Sequence, residues 1–135
     1  MPLTLTWVKD LQFVAEDDQG HGIVIESRKD GAAAGFTPMQ LLLQAAAGCM
    51  AMDVVSILQK KRLPLKKFRV LMEGDRAPEH PKRYTEMRFT YEAYGDIPKQ
   101  AVDEAIKMSE ERYCSVSATL THAPRMVIES RIVKE

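Results

Sequence analysis

Apolar and polar positions alternate along much of this chain, and the places where alternation fails locate its helices. Leu3-Thr4-Leu5-Thr6-Trp7-Val8 alternates and is rich in β-formers, which predicts a strand. Leu11 to Ala15 predicts a second strand, Asp17-Asp18-Gln19-Gly20 a turn, and Gly22 to Glu26 a third strand, so the chain opens as a meander. Arg28 to Phe36 sets Asp30-Gly31 and Gly35 around three alanines and reads as a loop. From Met39 to Leu58 apolar residues cover nearly the whole circumference of a helix, the mark of one buried on most sides. Thr37 suits the N-cap and Pro38 the first helical position, where a missing N–H costs nothing. Lys60, Lys61 and Arg62 bring positive charge to the C-terminus, where the helix dipole favours it, and Leu63-Pro64 ends the helix.

Downstream, Phe68 to Glu73 predicts a strand, Gly74 to Lys82 an exposed hairpin loop, and the alternating Tyr84 to Tyr94 a long strand. Gly95-Asp96-Ile97-Pro98 turns into a second helix over about Pro98 to Arg112, with Ala101, Ala105, Ile106 and Met108 inward. Tyr113-Cys114-Ser115 breaks it, Val116 to Thr121 predicts a short helical turn, and Met126–Ile128 with Ile132–Val133 predict a final strand. The order β-β-β-α-β-β-α-β predicts an α+β fold with mainly antiparallel sheet, in one domain over residues 1–135. The central helix carries more apolar surface than one small sheet readily covers, which hints at a dimer; cover by six strands is the alternative.

Charge and composition narrow the function. Lys+Arg and Asp+Glu both total 19, so net charge points to neither nucleic acid nor an anionic membrane as partner. Gln44 and Asp53 interrupt the apolar helix and favour a core helix over a membrane span. The N-terminus lacks a basic region followed by a long apolar run, and with only two cysteines the expectation is a cytoplasmic protein with reduced thiols. His21, His80 and His122 are scattered, so no metal site is expected, and no Gly-rich phosphate loop or other cofactor motif occurs.

Two thiols are the main chemical resource. Cys114 falls at the start of the predicted helical turn, where the backbone dipole would favour a thiolate, as would Arg112 beside it. Cys49 lies mid-helix among Ala45, Ala46, Ala47, Gly48 and Ala51, small residues that let a second segment or chain approach closely. Asp53, one turn on, would raise the Cys49 pKa if ionised and close, so activating Cys49 needs a cation from elsewhere. Both thiols could equally be small buried hydrophobes, the commonest fate of free cysteine.

Thr-Pro-Met-Gln-Leu-Leu-Leu at 37–43, Ala-Ala-Gly-Cys at 46–49, Asp53-Val54-Val55 and Glu111-Arg112-Tyr113-Cys114-Ser115-Val116 together resemble the OsmC/Ohr family of osmotically induced and organic-hydroperoxide-resistance proteins. The order of meander, cysteine helix, hairpin, second helix and second cysteine agrees along nearly the entire chain. The resemblance implies an intertwined α+β homodimer with a central buried cysteine-bearing helix and no cofactor. It implies a peroxidase in which Cys49 attacks an organic hydroperoxide and Cys114 resolves the sulfenic acid, with a small dithiol as reductant. Asp53, Glu111 and Arg112 are candidate supporting residues. In peroxidase members the thiolate is served by an arginine held by a glutamate after the proline. Here Met39 follows the proline and no arginine precedes Arg28, which becomes the candidate substitute and places the chain on a divergent OsmC-like branch. The alternative function is a non-catalytic dimer that binds a small hydrophobic or thiol-bearing ligand.

Overall fold

The computed structural model describes residues 2–133. They form two compact units, residues 2–48 with 69–92, and residues 49–68 with 93–133. In the first unit β1 (Thr4–Lys9), β2 (Gln12–Glu16) and β3 (Gly22–Glu26) make an antiparallel sheet in sequential order. Phe13 stands opposite Trp7 on one side and Ile25 on the other, so large side chains share the centre of the sheet. Glu26 closes β3 as a buried carboxylate that accepts the Ala34 N–H at 2.7 Å and the Gln12 amide at 3.1 Å. The Ala34 N–H, followed by the Gln12 amide, holds the Glu26 carboxyl below its usual range and pins the 27–36 loop to the sheet.

β4 (Lys67–Arg76) and β5 (Tyr84–Tyr94) make a two-stranded sheet whose connecting loop is tied by the Ala77 N–H to the Arg83 carbonyl at 2.9 Å. The Tyr84 ring lies where a Cβ on Gly74 would sit, and its hydroxyl donates to the Met39 carbonyl at 2.7 Å. A side chain at position 74 would push that ring off its seat, which is why glycine stands there.

Helix α1 (Pro38–Lys60) begins in a capping box: Thr37 Oγ1 accepts the Gln40 N–H while the Gln40 side chain accepts the Thr37 N–H. It ends in a Schellman motif, with Arg62 at φ +58°, the Leu63 N–H on Leu58 and the Arg62 N–H on Gln59. The terminating device is thus a left-handed arginine just ahead of the expected Leu63-Pro64. Beyond α1, helix α2 (Lys99–Met108) runs into a π-helical turn (Ser109–Tyr113), and helix α3 (Ser115–Thr121) follows.

Two expectations fail. The central helix is not buried on most sides within one chain: Ala46, Ala47, Met50, Val54 and Leu58 form a single buried stripe, while Met52 is 76% exposed. By length and composition α1 would also suffice to cross a membrane, and only a third of its most apolar window is buried. The final strand does not form either. Residues 123–133 are without regular structure, and Met126, Val127, Ile128, Ile132 and Val133 are all exposed. Apolar runs alone do not make a strand, because an extended segment needs a neighbour to take up its backbone hydrogen bonds.

Candidate functional site

The second unit brings the two cysteines together. Cys114 takes extended dihedrals as the N-cap of α3, and its Sγ accepts the Ser117 N–H at 3.3 Å. This is the placement the break at Tyr113-Cys114-Ser115 predicts. Cys49 projects from the middle of α1, half-buried, and its thiol meets Cys114, which is buried. The Val116 and Ser115 N–H groups at the start of α3 point at the Cys49 sulfur as well. A single short helix start therefore supplies hydrogen bonds to both sulfurs.

Their acidities diverge. At Cys49 the Val116 N–H acts downward, but burial and the adjoining Cys114 thiol outweigh it and hold the pKa above the ordinary thiol value. At Cys114 burial acts upward but is outweighed by the Ser117 hydroxyl and N–H and by the Cys49 thiol, so its pKa falls below the ordinary value. The proton is kept on Cys49 and the charge is favoured on Cys114. Among the described residues no cation stands among the principal groups acting on either thiol.

The other candidate residues take different places. Asp53 turns toward α2, where Oδ2 accepts the Ser109 hydroxyl at 2.7 Å, and it is not a principal influence on Cys49. Glu111 and Arg112 lie exposed on the π-helical turn, with Glu111 paired at 4.0 Å to Lys107. Arg28 is engaged by Asp30 in the loop of the first unit. A cavity of about 360 Å³ opens further along α1, with neither cysteine in its lining. Its walls include Asp53, one turn beyond Cys49, Tyr113, which precedes Cys114, and the apolar Ile57 and Met108, with Lys60 and Lys61 at its rim.

Ser109 and Ser117 were missed in the sequence. Ser117 had a legible signal, since it stands at the third position after a cap residue, the spacing at which a cap meets a backbone N–H. Ser109 had none, because the π-helical turn that places it follows from no periodicity.

Comparison with known proteins places this arrangement. The family model described as "OsmC-like protein" matches residues 29–129, a span that contains both cysteines. The chain belongs to the OsmC-like family. Protein YhfA of Escherichia coli (strain K12) is 34% identical over 134 residues, covering 98% of each chain. A hypothetical protein from Aquifex aeolicus VF5 has a similar structure, with TM-score 0.80, 32% identity and cover of 90% of this chain and 87% of that one. An organic hydroperoxide resistance protein OsmC from Legionella pneumophila shares the fold at TM-score 0.64 and 12% identity, covering 89% of each chain. The α+β architecture with antiparallel sheet is thus that of the OsmC-like proteins, some of which are organic hydroperoxide resistance proteins.

Proposed function

We propose that this OsmC-like chain is a thiol-dependent peroxidase that reduces organic hydroperoxides through a Cys49 sulfenic acid resolved by Cys114. The observation that carries the reading is the contact of the two thiols, with the more accessible sulfur on Cys49 and the more acidic one on Cys114. Cys49 first gives up its proton to solvent. The Cys49 thiolate then attacks the distal peroxide oxygen, the O–O bond breaks, and Cys49 becomes sulfenic acid. The departing alkoxide takes a proton from solvent and leaves as alcohol. The Cys114 thiolate next displaces hydroxide from the Cys49 sulfenic acid and closes a disulfide, which a small dithiol reopens while being oxidised itself. The cavity over Ile57, Met108 and Tyr113 offers apolar cover for the organic group.

The functional unit in this reading is a homodimer. What supports it is the apolar surface left outside the buried stripe of α1, and the exposed apolar side chains of the segment from Met126 to Val133, which has no strand partner among the described residues. A second copy would cover the helix and give that segment a strand neighbour.

The test is stoichiometric. One equivalent of an organic hydroperoxide should yield one alcohol and one Cys49–Cys114 disulfide per chain, and Cys114→Ser should leave a trappable sulfenic acid on Cys49. Both thiols intact after that treatment, by mass spectrometry, would refute the reading. The second reading is a non-catalytic dimer holding a small hydrophobic or thiol-bearing ligand; the elevated Cys49 pKa and Met39 in place of the usual glutamate favour it. Its signature is ligand binding with no oxidation of either cysteine.

A further inference from the structure

We propose that Ser109 is a positioning residue that sets the spacing and orientation of the Cys49–Cys114 pair by tying both cysteine-bearing segments to one buried point. Ser109 has no exposed surface, yet each of its polar groups is engaged. Its N–H caps α2 on the Ala105 and Ile106 carbonyls. Its hydroxyl donates to Asp53 Oδ2 at 2.7 Å. Its carbonyl accepts the Cys114 N–H at 2.8 Å, across the five-residue interval of the π-helical turn.

The consequence is geometric. Asp53 stands four residues after Cys49, on the same side of α1, so the hydroxyl bond fixes the helix close to where its thiol emerges. The carbonyl bond fixes the other cysteine directly at its own amide. Two hydrogen bonds from one residue thereby hold the segments whose sulfurs must meet. The π-helical winding is what lets carbonyl and hydroxyl serve these partners together, because it places the bond from Ser109 at the fifth residue rather than the fourth. A disulfide accepts only a narrow range of backbone separations, so small shifts at Ser109 are felt in how readily the pair closes.

This proposal rests on the reading of the cysteines as a reactive pair, and the experiment separates the two. The full chain is equilibrated at neutral pH with mixtures of oxidised and reduced dithiothreitol, quenched, and its disulfide fraction measured by mass spectrometry. In that exchange the two cysteine thiols pass two electrons and two protons to oxidised dithiothreitol as the Cys49–Cys114 bond forms. Ser109→Ala and Asp53→Ala should each lower the closing equilibrium constant at least tenfold, about 30 mV for a two-electron couple. Asp53→Asn, whose amide oxygen still accepts the serine hydroxyl, should stay within threefold of the parent. A general loss of stability lowers both redox forms alike and leaves this equilibrium in place, and thermal unfolding of the reduced variants records that loss separately. If Ser109→Ala does not fold, the Asp53→Ala and Asp53→Asn pair decides. Ala variants that close as readily as the parent, or an Asn variant as impaired as Ala, overturn the proposal. A parent pair that never closes overturns the reactive-pair reading, and this proposal with it.

Discussion

The elevated pKa of Cys49 has a kinetic consequence that can be measured directly. A thiol at the ordinary value of about 8.5 is roughly 3% thiolate at pH 7. Burial and the neighbouring Cys114 thiol hold Cys49 above that value, so its neutral-pH thiolate fraction is smaller still. Only the thiolate attacks peroxide, so turnover at pH 7 should run at least about 30-fold below the rate of the fully ionised site. The sign is fixed: a raised pKa is left behind as pH rises, so the rate should climb close to tenfold per unit from pH 6 to 8. The assay is turnover of cumene hydroperoxide under a dithiol reductant across that range, paired with the pH dependence of Cys49 alkylation. Cys114→Ser removes the thiol's hydrogen bond and its charge, two of the upward influences, and leaves the Val116 and Ser115 N–H groups in place. Its Cys49 alkylation profile should therefore move to lower pH than the parent's. A rate that is already flat at neutral pH, or a Cys114→Ser profile displaced upward, would refute this account of the site.

Other consequences reach beyond the thiols. Leu58 is fully buried on the α1 stripe, so Leu58→Ala should cost about 2–5 kcal/mol and lower Tm by on the order of 10 °C, read by thermal unfolding. The Glu26 carboxyl lies below its usual range, so its contribution is present at neutral pH and is lost as pH falls through its folded pKa. Glu26→Gln should therefore flatten the acid limb of stability against pH, and an unchanged limb would count against the buried carboxylate as its source. Sedimentation at micromolar concentration should give about twice the 15.2 kDa chain mass, while a chain ending at Ala123 should dimerise less well. A folded monomer of full length would remove the homodimer from the proposed function.

Much of the architecture could be read from local rules. β3 and β5 fall at their expected residues because alternation and flanking turn signals are short-range, and β5 runs from Tyr84 to Tyr94 as its pattern predicts. The cap at Thr37 and the cysteine at the start of α3 were legible for the same reason, since capping is chemistry between residues three positions apart. Tertiary structure decided the rest. An apolar circumference on α1 could not tell which faces one chain covers, because cover depends on elements distant in sequence. The same limit explains the residues after His122, where two apolar runs have no strand beside them among the described residues. Proximity of Cys49 and Cys114 is a fact of packing, and so is the fate of Asp53, which meets a buried serine 56 residues away rather than the thiol one turn behind it. The order of acidity at the pair was beyond any local rule as well. It arises from which N–H groups and which sulfur surround each thiol once α3 has come to rest against α1.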